Sequence, residues 1–456
     1  MTNFIRMEFE RTTDNLIKNL RVYITDKPGY LGKVLTTIGM HGGNIGDLKL
    51  VKRAGKSNLR EIEIYVRDHD HMQEILHAVG ELDGIQIASV SNAVLDLHKG
   101  GKIEVRSRVA VDNAGDIRRI YTPGVAAVCR AIEKNPDLMY DYTYVKNTVA
   151  IITNGTAILG LGDIGVRAGM PVMEGKAVLF AKLVGLNGIP ILLDSKDIKT
   201  CIETIVHIAP SFGAIKLEDF RAPECFAIEE ALVQKLDMPI MHDDQHGTAT
   251  VVLAALLNAT KYVGDDLRNL SVGIIGLGAA GTGIARLLKA FGVEKIYGAD
   301  IAPEAQQRLA ASGGTPLPLM ELMREAQVVV TTTGVPNLIK PEMIRHRQII
   351  LALSNPDPEI KPEVAIEAGA AFAADGRGVN NALAFPGLFK GALSARASRI
   401  NNRMKIAAAE AIAALANSDR QELVPALLNP EVHQRVAEAV ERAALESGAV
   451  KKLSEM

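Results

Sequence analysis

Apolar residues in the first hundred positions follow the spacing of a small α+β domain. Alternating apolar and polar side chains at residues 20–25 predict a strand, and glycine-bearing turns bound a helix at residues 31–40. Further elements complete the order βαββαβ, with strands at 45–52, 59–67 and 85–93 and a helix at 71–81. The histidines of this region are expected to be solvated at the surface; they are His41, His69, His71, His77 and His98.

The pattern changes twice beyond a polar link at residues 98–102. A helix- and loop-rich section reaches about residue 260, and strands and helices then alternate to about residue 387. Apolar runs typical of buried parallel strands occur at 327–330, 348–353 and 370–374. The alanine-rich residues 394–445 predict helices that pack back on the body, with a coiled coil as the alternative. We therefore predict three domains, at residues 1–97, 98–260 and 261–456.

Two segments match the glycine pattern G-x-G-x-x-G, and their contexts differ. The second, at residues 276–281, follows an apolar strand at 271–275 and opens a helix at 282–291, which is typical of a Rossmann-type dinucleotide-binding domain. The first, at residues 160–165, runs into Pro171, which cannot propagate a helix. We therefore assign the first motif to a structural turn or to a loop near the substrate.

The carboxylate that follows the next strand bears on the choice of cofactor. Asp300 ends the strand predicted at residues 295–299. A carboxylate there accepts hydrogen bonds from ribose hydroxyls and repels the 2′-phosphate of NADP, which favours NAD. No Arg or Lys follows at residues 301–303 to favour NADP. The predicted cofactor-binding residues of this unit are Gly276, Gly278, Ala279, Ala280, Gly281 and Asp300.

Small and polar side chains end the later strands of the predicted sheet. Ligands bind at the carboxyl ends of strands in open α/β sheets, and amides suit a hydroxy-acid substrate because they donate and accept without adding charge. We predict that Thr333 and Asn355 contact the dinucleotide, and that Asn355, Asn380 and Asn381 bind the substrate. The alternative is that these asparagines only satisfy turns.

Carboxylates cluster in the middle section, after two strand-like segments. Glu218 and Asp219 follow residues 212–217, and Asp243 and Asp244 follow residues 239–241. Side chains alternate along a strand, so Glu218 and Asp219 converge only if the strand ends there. Clustered oxygen ligands select Mg²⁺ or Mn²⁺. Surface charge and helix caps are the alternative, and a zinc protease is disfavoured because H-D-D-Q-H lacks the glutamate of H-E-x-x-H.

Composition excludes several other classes of protein. Fifty-one basic and 53 acidic residues leave a net charge of −2, which disfavours nucleic-acid binding by bulk electrostatics. Cys129, Cys201 and Cys225 form no C-x-x-C motif, which favours reduced thiols. The N-terminus carries charges where an export signal needs an apolar core, and no apolar run is long enough to span a membrane. We expect a soluble, cytoplasmic protein.

Seven motifs, in order, resemble the bacterial malic enzyme family over about residues 100–440. They are Y-T-P-G-V-A, G-L-G-D-I-G, E-G-K, L-E-D-F, H-D-D-Q-H-G-T, S-N-P and V-N-N-A-L-A-F-P-G. The resemblance implies Tyr121 as general acid and Lys176 as general base. It also implies Asn355 and Asn381 as substrate-binding residues, and a metal site formed by Glu218, Asp219 and Asp244 with Asp243 beside them. Ala157 departs from the large eukaryotic enzymes, which place an arginine there.

The implied reaction is the oxidative decarboxylation of malate to pyruvate by NAD, with Mg²⁺ or Mn²⁺. The N-terminal motifs D-K-P-G-Y-L-G-K-V and G-G-N-I resemble an ACT domain, which implies an amino-acid or metabolite effector and a homodimer. A pure dimerisation module is the alternative there. The alternatives for the whole chain are a malolactic or oxaloacetate-decarboxylating enzyme, an amino-acid dehydrogenase, and a non-catalytic sensor of NAD and effector.

Overall fold

Residues 16–418 and 422–451 are described by the computed structural model, in which the chain divides into two units, residues 1–104 and 105–456. The residues on which the expectation of no export signal rests lie outside the described part. The predicted domain boundary at residue 97 stays a prediction. So does the boundary at residue 260, which falls near the end of a helix, Asp243–Tyr262.

The first unit is a four-stranded antiparallel sheet covered by helices, in the predicted order βαββαβ. Its strands pair in the order β2-β3-β1-β4, and the side chains of Leu20, Val22 and Ile24 on β1 alternate into the core. The elements are β1 (Leu16–Thr25), α1 (Tyr30–Met40), β2 (Asn44–Ala54), β3 (Ser57–Val66), α2 (His69–Gly80), β4 (Ile85–Asn92) and a short α3 (Ala93–His98).

The expectation that all five histidines of this unit are solvated is wrong for His71. This side chain is only 2% exposed. Its Nε2 lies 2.6 Å from the carbonyl oxygen of His41, and its Nδ1 accepts a hydrogen bond from the Arg67 amide at 3.0 Å. Both ring nitrogens are therefore satisfied inside the unit, as burial of a polar ring requires. His41, His69 and His77 are exposed and His98 is half-buried.

The second unit begins with helices that surround a parallel sheet of order β6-β5-β7-β8. Every residue of β5, β7 and β8 is buried, because helices cover both faces of such a sheet. The elements are α4 (Ala114–Ile120), α5 (Val125–Lys134), α6 (Met139–Tyr142), β5 (Thr148–Thr153), α7 (Met170–Leu179), β6 (Asn187–Leu192), α8 (Ile198–Ile208), β7 (Ala214–Leu217), α9 (Glu224–Lys235), β8 (Ile240–His242) and α10 (Asp243–Tyr262).

The prediction that Pro171 blocks a helix after the first glycine motif is wrong. Helix α7 begins at Met170, with Pro171 in its first turn. Proline is tolerated there because its missing N–H has no partner in the first turn of any helix. The glycine motif itself forms turns, and Gly162 and Gly165 have φ of 77° and 89°. This helix carries Lys176 towards the site described below.

A six-stranded parallel sheet follows in the order β11-β10-β9-β12-β13-β14, which is the doubly wound Rossmann arrangement. Helix α11 begins at Ala279, three residues before its predicted start, and places the glycine motif at a helix N-terminus. The elements are β9 (Val272–Ile275), α11 (Ala279–Phe291), β10 (Ile296–Ala299), α12 (Pro303–Ala311), β11 (Thr315–Pro316), α13 (Leu319–Glu325), β12 (Val328–Thr331), β13 (Ile349–Ala352), α14 (Pro362–Glu367) and β14 (Phe372–Asp375).

The C-terminal helices pack on one another, and α16 packs on α10, so that they join the core of the second unit and do not form a separate coiled coil. They are α15 (Phe385–Ser394), α16 (Asn402–Ala414) and α17 (Pro430–Glu446). Gly387 on α15 leaves no room for a Cβ atom, which would meet the side chain of Val436 on α17. Throughout residues 16–418 and 422–451, no helix combines the length and the apolar character needed to cross a membrane.

Candidate active site

The two predicted carboxylate pairs lie at neighbouring strand ends. Strand β7 ends at Leu217 and pairs with β8, which ends at His242. Glu218 and Asp219 therefore leave the sheet beside Asp243 and Asp244, the first two residues of α10. Asp219 has a φ of 55°, a left-handed conformation that turns the chain sharply at this point. The convergence predicted for Glu218 and Asp219 requires this break in the strand pattern.

Lys176 lies at the centre of this group. Its Nζ is 2.9 Å from Asp243 Oδ2 and 3.0 Å from Glu218 Oε1. It also donates a hydrogen bond to Asn381 Oδ1 at 3.2 Å. The Lys176 side chain is 13% exposed, whereas that of Asp243 is wholly buried. The structure therefore joins three of the predicted site residues to one ammonium group.

Lys216 is a site residue that the sequence reasoning missed. It lies on β7, is fully buried, and places its Nζ 2.9 Å from Asp243 Oδ2 and in contact with the Glu218 carboxylate. Burial lowers the pKa of Lys216 to about 7, although Asp243 opposes this shift. The available signal was a lysine inside an otherwise apolar strand, which is a costly position unless a carboxylate compensates it.

The two lysines determine the electrostatics of Asp243. Burial by itself would raise the pKa of this carboxyl, but Lys176 and Lys216 lower it below its ordinary value. Asp243 is therefore a buried anion held between two cations. Its position beside the acidic cluster agrees with the resemblance stated above, and the lysines keep its charge compensated.

Glu218, Asp219 and Asp244 each offer one carboxylate oxygen, and these oxygens lie within 4.8 Å of one another. Asp244 Oδ2 accepts a hydrogen bond from the Asp219 amide at 3.1 Å. Burial and the neighbouring Asp244 raise the pKa of Asp219 to about 7. Asp219 Oδ2 is buried and has no hydrogen-bond partner in the described chain. An all-oxygen donor set with a buried, unpartnered carboxylate oxygen fits a hard divalent cation.

The two histidines of H-D-D-Q-H-G-T contact different carboxylates. His242 Nε2 lies 3.3 Å from Asp244 Oδ2, while His246 Nε2 lies 3.0 Å from Glu229 Oε2. Glu229, which was also missed, accepts a hydrogen bond from the His242 amide at 2.7 Å. Burial lowers the pKa of His246, and Glu229 opposes this. The two histidines therefore contact separate carboxylates around the start of α10. They do not converge as a pair of zinc ligands.

Three of the residues predicted for catalysis or substrate binding lie outside the lysine–carboxylate contacts. Tyr121 is 70% exposed, and its hydroxyl has no hydrogen bond within the described chain. Asn380 accepts a hydrogen bond from the Ala382 amide at 2.9 Å, which is the turn-forming role considered as its alternative. Asn355 is exposed in the loop after β13. Of the predicted substrate residues, the structure brings only Asn381 to Lys176.

The second glycine motif lies close to the loop after β12 at its first glycine and is open at its second. Gly276 has a φ of 91°, and a Cβ atom there would meet the Thr332 backbone. A Cβ atom at Gly278 would meet nothing within 4 Å, so this part of the loop is open. Asp300 at the end of β10 accepts hydrogen bonds from the amides of Leu277 at 2.6 Å and Ala302 at 2.8 Å. Asp300 therefore also orders the glycine loop.

A buried glutamate that the sequence reasoning missed joins the loops after β12 and β13. Glu359 is fully buried and accepts hydrogen bonds from the Thr333 amide at 2.7 Å, the Thr333 hydroxyl at 2.9 Å and the Ser354 hydroxyl at 2.6 Å. Burial would raise the pKa of Glu359, but these hydrogen bonds lower it. Thr333 and Asn355 thus belong to two loops that share one anchor.

A Rossmann-type sheet next to a lysine–carboxylate site at strand ends defines the class of α/β dehydrogenases with an acidic active site. Family models match residues 100–233 (malic enzyme, N-terminal domain), 374–445 (malic enzyme, NAD binding domain), 241–341 (D-isomer specific 2-hydroxyacid dehydrogenase, NAD binding domain) and 12–91 (ACT domain). The chain belongs to the malic enzyme family, and its N-terminal unit contains an ACT domain.

Two curated relatives and one solved structure illustrate the similarity. The NAD-dependent malic enzyme 1 of Bacillus subtilis (strain 168) is 51% identical over 433 residues, covering 94% of this chain and 98% of that protein. The bifunctional malic/malolactic enzyme of the same organism is 41% identical, covering 79% and 94%. The crystal structure of malic enzyme from Pyrococcus horikoshii Ot3 is 37% identical with a TM-score of 0.75, covering 79% and 92%.

Proposed function

We propose that this chain oxidises and decarboxylates L-malate to pyruvate and CO₂, reduces NAD, and requires Mg²⁺ or Mn²⁺. The observation that carries the proposal is the contact of Lys176 Nζ with Asp243 and Asn381, beside three carboxylates whose oxygens lie within 4.8 Å. A base next to a cation site is the arrangement that a 2-hydroxy acid requires. The name of the 51% identical relative supports the same reaction.

Lys176 serves as the general base in this proposal. Its ammonium group is only partly buried, and it is held by Asp243 and Glu218. In its neutral form the amine takes the proton of the C2 hydroxyl, and Asp243 then stabilises the ammonium ion that forms. Asn381 accepts from Lys176 and can donate its amide hydrogens to a substrate carboxylate.

Glu218, Asp219 and Asp244 would hold the divalent cation. Two observations support this: Asp219 Oδ2 is buried without a hydrogen-bond partner in the described chain, and burial and Asp244 raise the pKa of Asp219 although Lys176 and Lys216 oppose the shift. Asp300 and the open surface at Gly278 support NAD as the second ligand. When bound, NAD would supply the acceptor for the C2 hydride, and the cation would supply Lewis-acid stabilisation for the decarboxylation.

Tyr121 is proposed to protonate C3 of the resulting enol from a second copy of the chain. It is 70% exposed and lies outside the Lys176 contacts. The neighbouring helices α4 and α5 bury none of their residues in the single chain, and apolar Ile117 and Ile120 are exposed. A homodimer that covers this face would remove apolar surface from water and bring Tyr121 into a site.

The overall reaction is tested by incubating the purified protein with malate, NAD and Mn²⁺. We expect NADH and pyruvate in equal amounts, no NADH without a divalent cation, and much weaker activity with NADP. The name of the 41% identical relative favours one alternative, malolactic activity, which would yield lactate with no net NADH. Formation of lactate in place of pyruvate and NADH would replace the proposal by that alternative.

Two variants test the residue roles. Lys176→Ala should block malate oxidation but keep oxaloacetate decarboxylation, because that step needs no base on the hydroxyl. Tyr121→Phe should leave protonation of the enol as the slow step.

Mixing the two inactive variants should restore roughly a quarter of the parent activity if Tyr121 acts across a dimer. No recovery on mixing would show that Tyr121 acts within its own chain or not at all.

The N-terminal unit is proposed to bind a small effector that contains a carboxylate, such as an amino acid. The supporting feature is the start of α1, where Gly29 has a φ of 89° and caps the helix N-terminus next to the Asp26–Lys27 turn. A screen of amino acids and central metabolites against the full chain and residues 98–456 tests this. We expect one compound to shift malate affinity in the full chain alone. Dissociation of the dimer on truncation, with no responding compound, would indicate a dimerisation module.

A further inference from the structure

A polar cavity lies between α10, α11 and α16, apart from the contacts of the lysine–carboxylate site. Its volume is about 370 Å³. Six polar side chains line this cavity, which we name the basic cleft: His246, Arg286, Lys289, Ser312, Asn402 and Lys405. Three of them are cationic, and none of its described lining residues is acidic. A cavity with this lining carries an excess of positive charge at neutral pH.

The cations of the basic cleft lack carboxylate partners in the described chain. Lys405 is only 7% exposed and donates a hydrogen bond to His246 Nδ1 at 3.2 Å. Arg286 stacks on Phe226 at 5.5 Å and forms no ion pair with a described residue. Lys289 donates to the Glu294 carbonyl oxygen at 3.2 Å. Burial of Lys405 beside a second cation is costly unless an anion compensates it.

The nearest buried carboxylate is already fully used. Glu229 accepts hydrogen bonds from the His242 amide, from Gln245 Nε2 at 3.1 Å and from His246 Nε2 at 3.0 Å. Because His246 presents its other nitrogen to Lys405, Glu229 forms no direct hydrogen bond with the lysine, although burial lowers the pKa of Lys405 and the negative charge of Glu229 opposes this shift. Glu229 and Glu230 line an adjoining cavity that shares Arg286 and Lys405, but neither carboxylate forms an ion pair with these two cations in the described chain, so a ligand can pair with both.

We propose that the basic cleft binds a small dianion. Lys405 and Arg286 would pair with its charges, and the Asn402 amide would donate hydrogen bonds to its oxygens. Asn402 is the first residue of the 13-residue helix α16, whose N-terminus adds a favourable dipole. The volume suits phosphate or a four-carbon dicarboxylate, which share this chemistry.

Occupancy of the cleft is linked to the acidic cluster by buried hydrogen bonds. Lys405 contacts His246, His246 contacts Glu229, and Glu229 holds the His242 amide just before Asp243 and Asp244. A dianion that draws Lys405 towards itself changes the first of these hydrogen bonds, the one between Lys405 and His246. We therefore expect dianion binding to change the affinity for Mn²⁺, a part of the inference that rests on the proposed metal site.

Calorimetric titration of the full chain with inorganic phosphate, and separately with succinate, tests the inference. We expect saturable binding of at least one dianion, and which of them binds identifies a phosphate or a dicarboxylate as the source. Arg286→Gln and Lys405→Met should each weaken that binding at least tenfold. The matched control is Arg268→Gln, because Arg268 also stacks on a phenylalanine, Phe291 at 4.0 Å, but lies outside the cleft.

Equal affinity in the parent and the Arg286→Gln variant, or no saturable binding, would overturn the inference. If Lys405→Met does not fold, Arg286→Gln and Lys289→Gln decide, because both side chains are exposed. Malate turnover by Arg286→Gln without added dianion should stay within about twofold of the parent. The two proposals can therefore fail separately. If the parent protein did not turn over malate, the proposed reaction would be wrong, but the calorimetric titration would still report whether the basic cleft binds a dianion. An unchanged Mn²⁺ affinity on adding dianion would overturn the coupling alone.

Discussion

Lys176 Nζ lies 2.9 Å from Asp243 Oδ2, although the two residues are 67 positions apart in the chain. One comes from the second turn of α7 and the other begins α10. Lys216 reaches the same oxygen, so that two ammonium groups share one wholly buried carboxylate. Such a group of charges is stable in the interior only while every member keeps its partners, and this makes its members sensitive to single substitutions.

Asp244→Ala should abolish metal-dependent turnover and leave the fold and NAD affinity nearly unchanged. The reason is that Asp244 belongs to the acidic cluster and lies outside the dinucleotide-binding sheet. We expect less than about 1% of the parent activity, since loss of a ligand removes several kcal/mol of charge stabilisation. Mn²⁺ binding measured by electron paramagnetic resonance checks the cause. The control is Asp237→Ala at an exposed position; retained Mn²⁺ binding in Asp244→Ala would refute the ligand assignment.

Lys216→Met should destabilise the metal-free protein strongly. It leaves Asp243 and Glu218 buried with Lys176 as their remaining lysine, and removing one partner of a buried ion pair typically costs about 3–5 kcal/mol. Chemical denaturation measures the change in the free energy of unfolding. Lys196→Met provides the matched control, because Lys196 pairs with Asp163 at the surface, where ion pairs contribute little. Equal stability of the two variants would contradict the role given to Lys216.

Glu359→Ala should weaken NAD binding. The substitution frees Thr333 and Ser354 from their shared anchor, and each lost hydrogen bond to a charged acceptor costs about 1.5–3 kcal/mol. We expect the Kd for NAD, measured by fluorescence titration, to rise at least about tenfold. Glu359→Gln keeps one acceptor oxygen and should show a smaller effect. Glu363→Ala at an exposed position of α14 is the control, and an identical Kd in both alanine variants would remove the anchoring role.

His433 should make the second unit less stable as the pH falls. The ring is 3% exposed, its Nε2 lies 2.9 Å from the Leu427 carbonyl oxygen, and its buried Nδ1 has no hydrogen-bond partner in the described chain. Burial lowers the pKa of His433, while the hydrogen bond to Leu427 opposes the shift. The unfolded chain therefore binds a proton at this histidine more readily than the folded chain does. As the pH falls from about 6.5, the ordinary pKa of histidine, to the lowered pKa of the folded state, the free energy of unfolding decreases.

Unfolding free energies measured between pH 5 and pH 8 check this expectation. The parent should lose stability towards acidic pH more steeply than His433→Gln, whose side-chain amide can still donate to Leu427. His207→Gln replaces an exposed histidine and should keep the parent slope. Parallel profiles for the parent and His433→Gln would show that this ring does not carry the pH dependence.

Local patterns determined most of the fold. Alternation along residues 20–25 and the glycines at residues 276–281 predicted elements that the structure contains at nearly the same positions. These signals are reliable because side-chain direction repeats every two residues in a strand, and because the tight turn before a dinucleotide-binding helix requires glycine at particular positions. The acidic motifs were also visible from sequence, since strand ends that meet at one edge place Glu218 beside Asp244.

The charge balance of the interior was decided by the tertiary structure. Whether Lys216, Glu229, Glu359 and Lys405 are surface or buried residues depends on partners contributed by distant elements, and no local spacing records those partners. Most lysines and glutamates in a sequence are exposed, and of these four residues Lys216 alone carried a local signal of burial, its position inside an apolar strand. The reach of Lys176 to Asp243 and the exposure of Tyr121 follow from how helices pack on two sheets, a property of the whole unit and not of any segment.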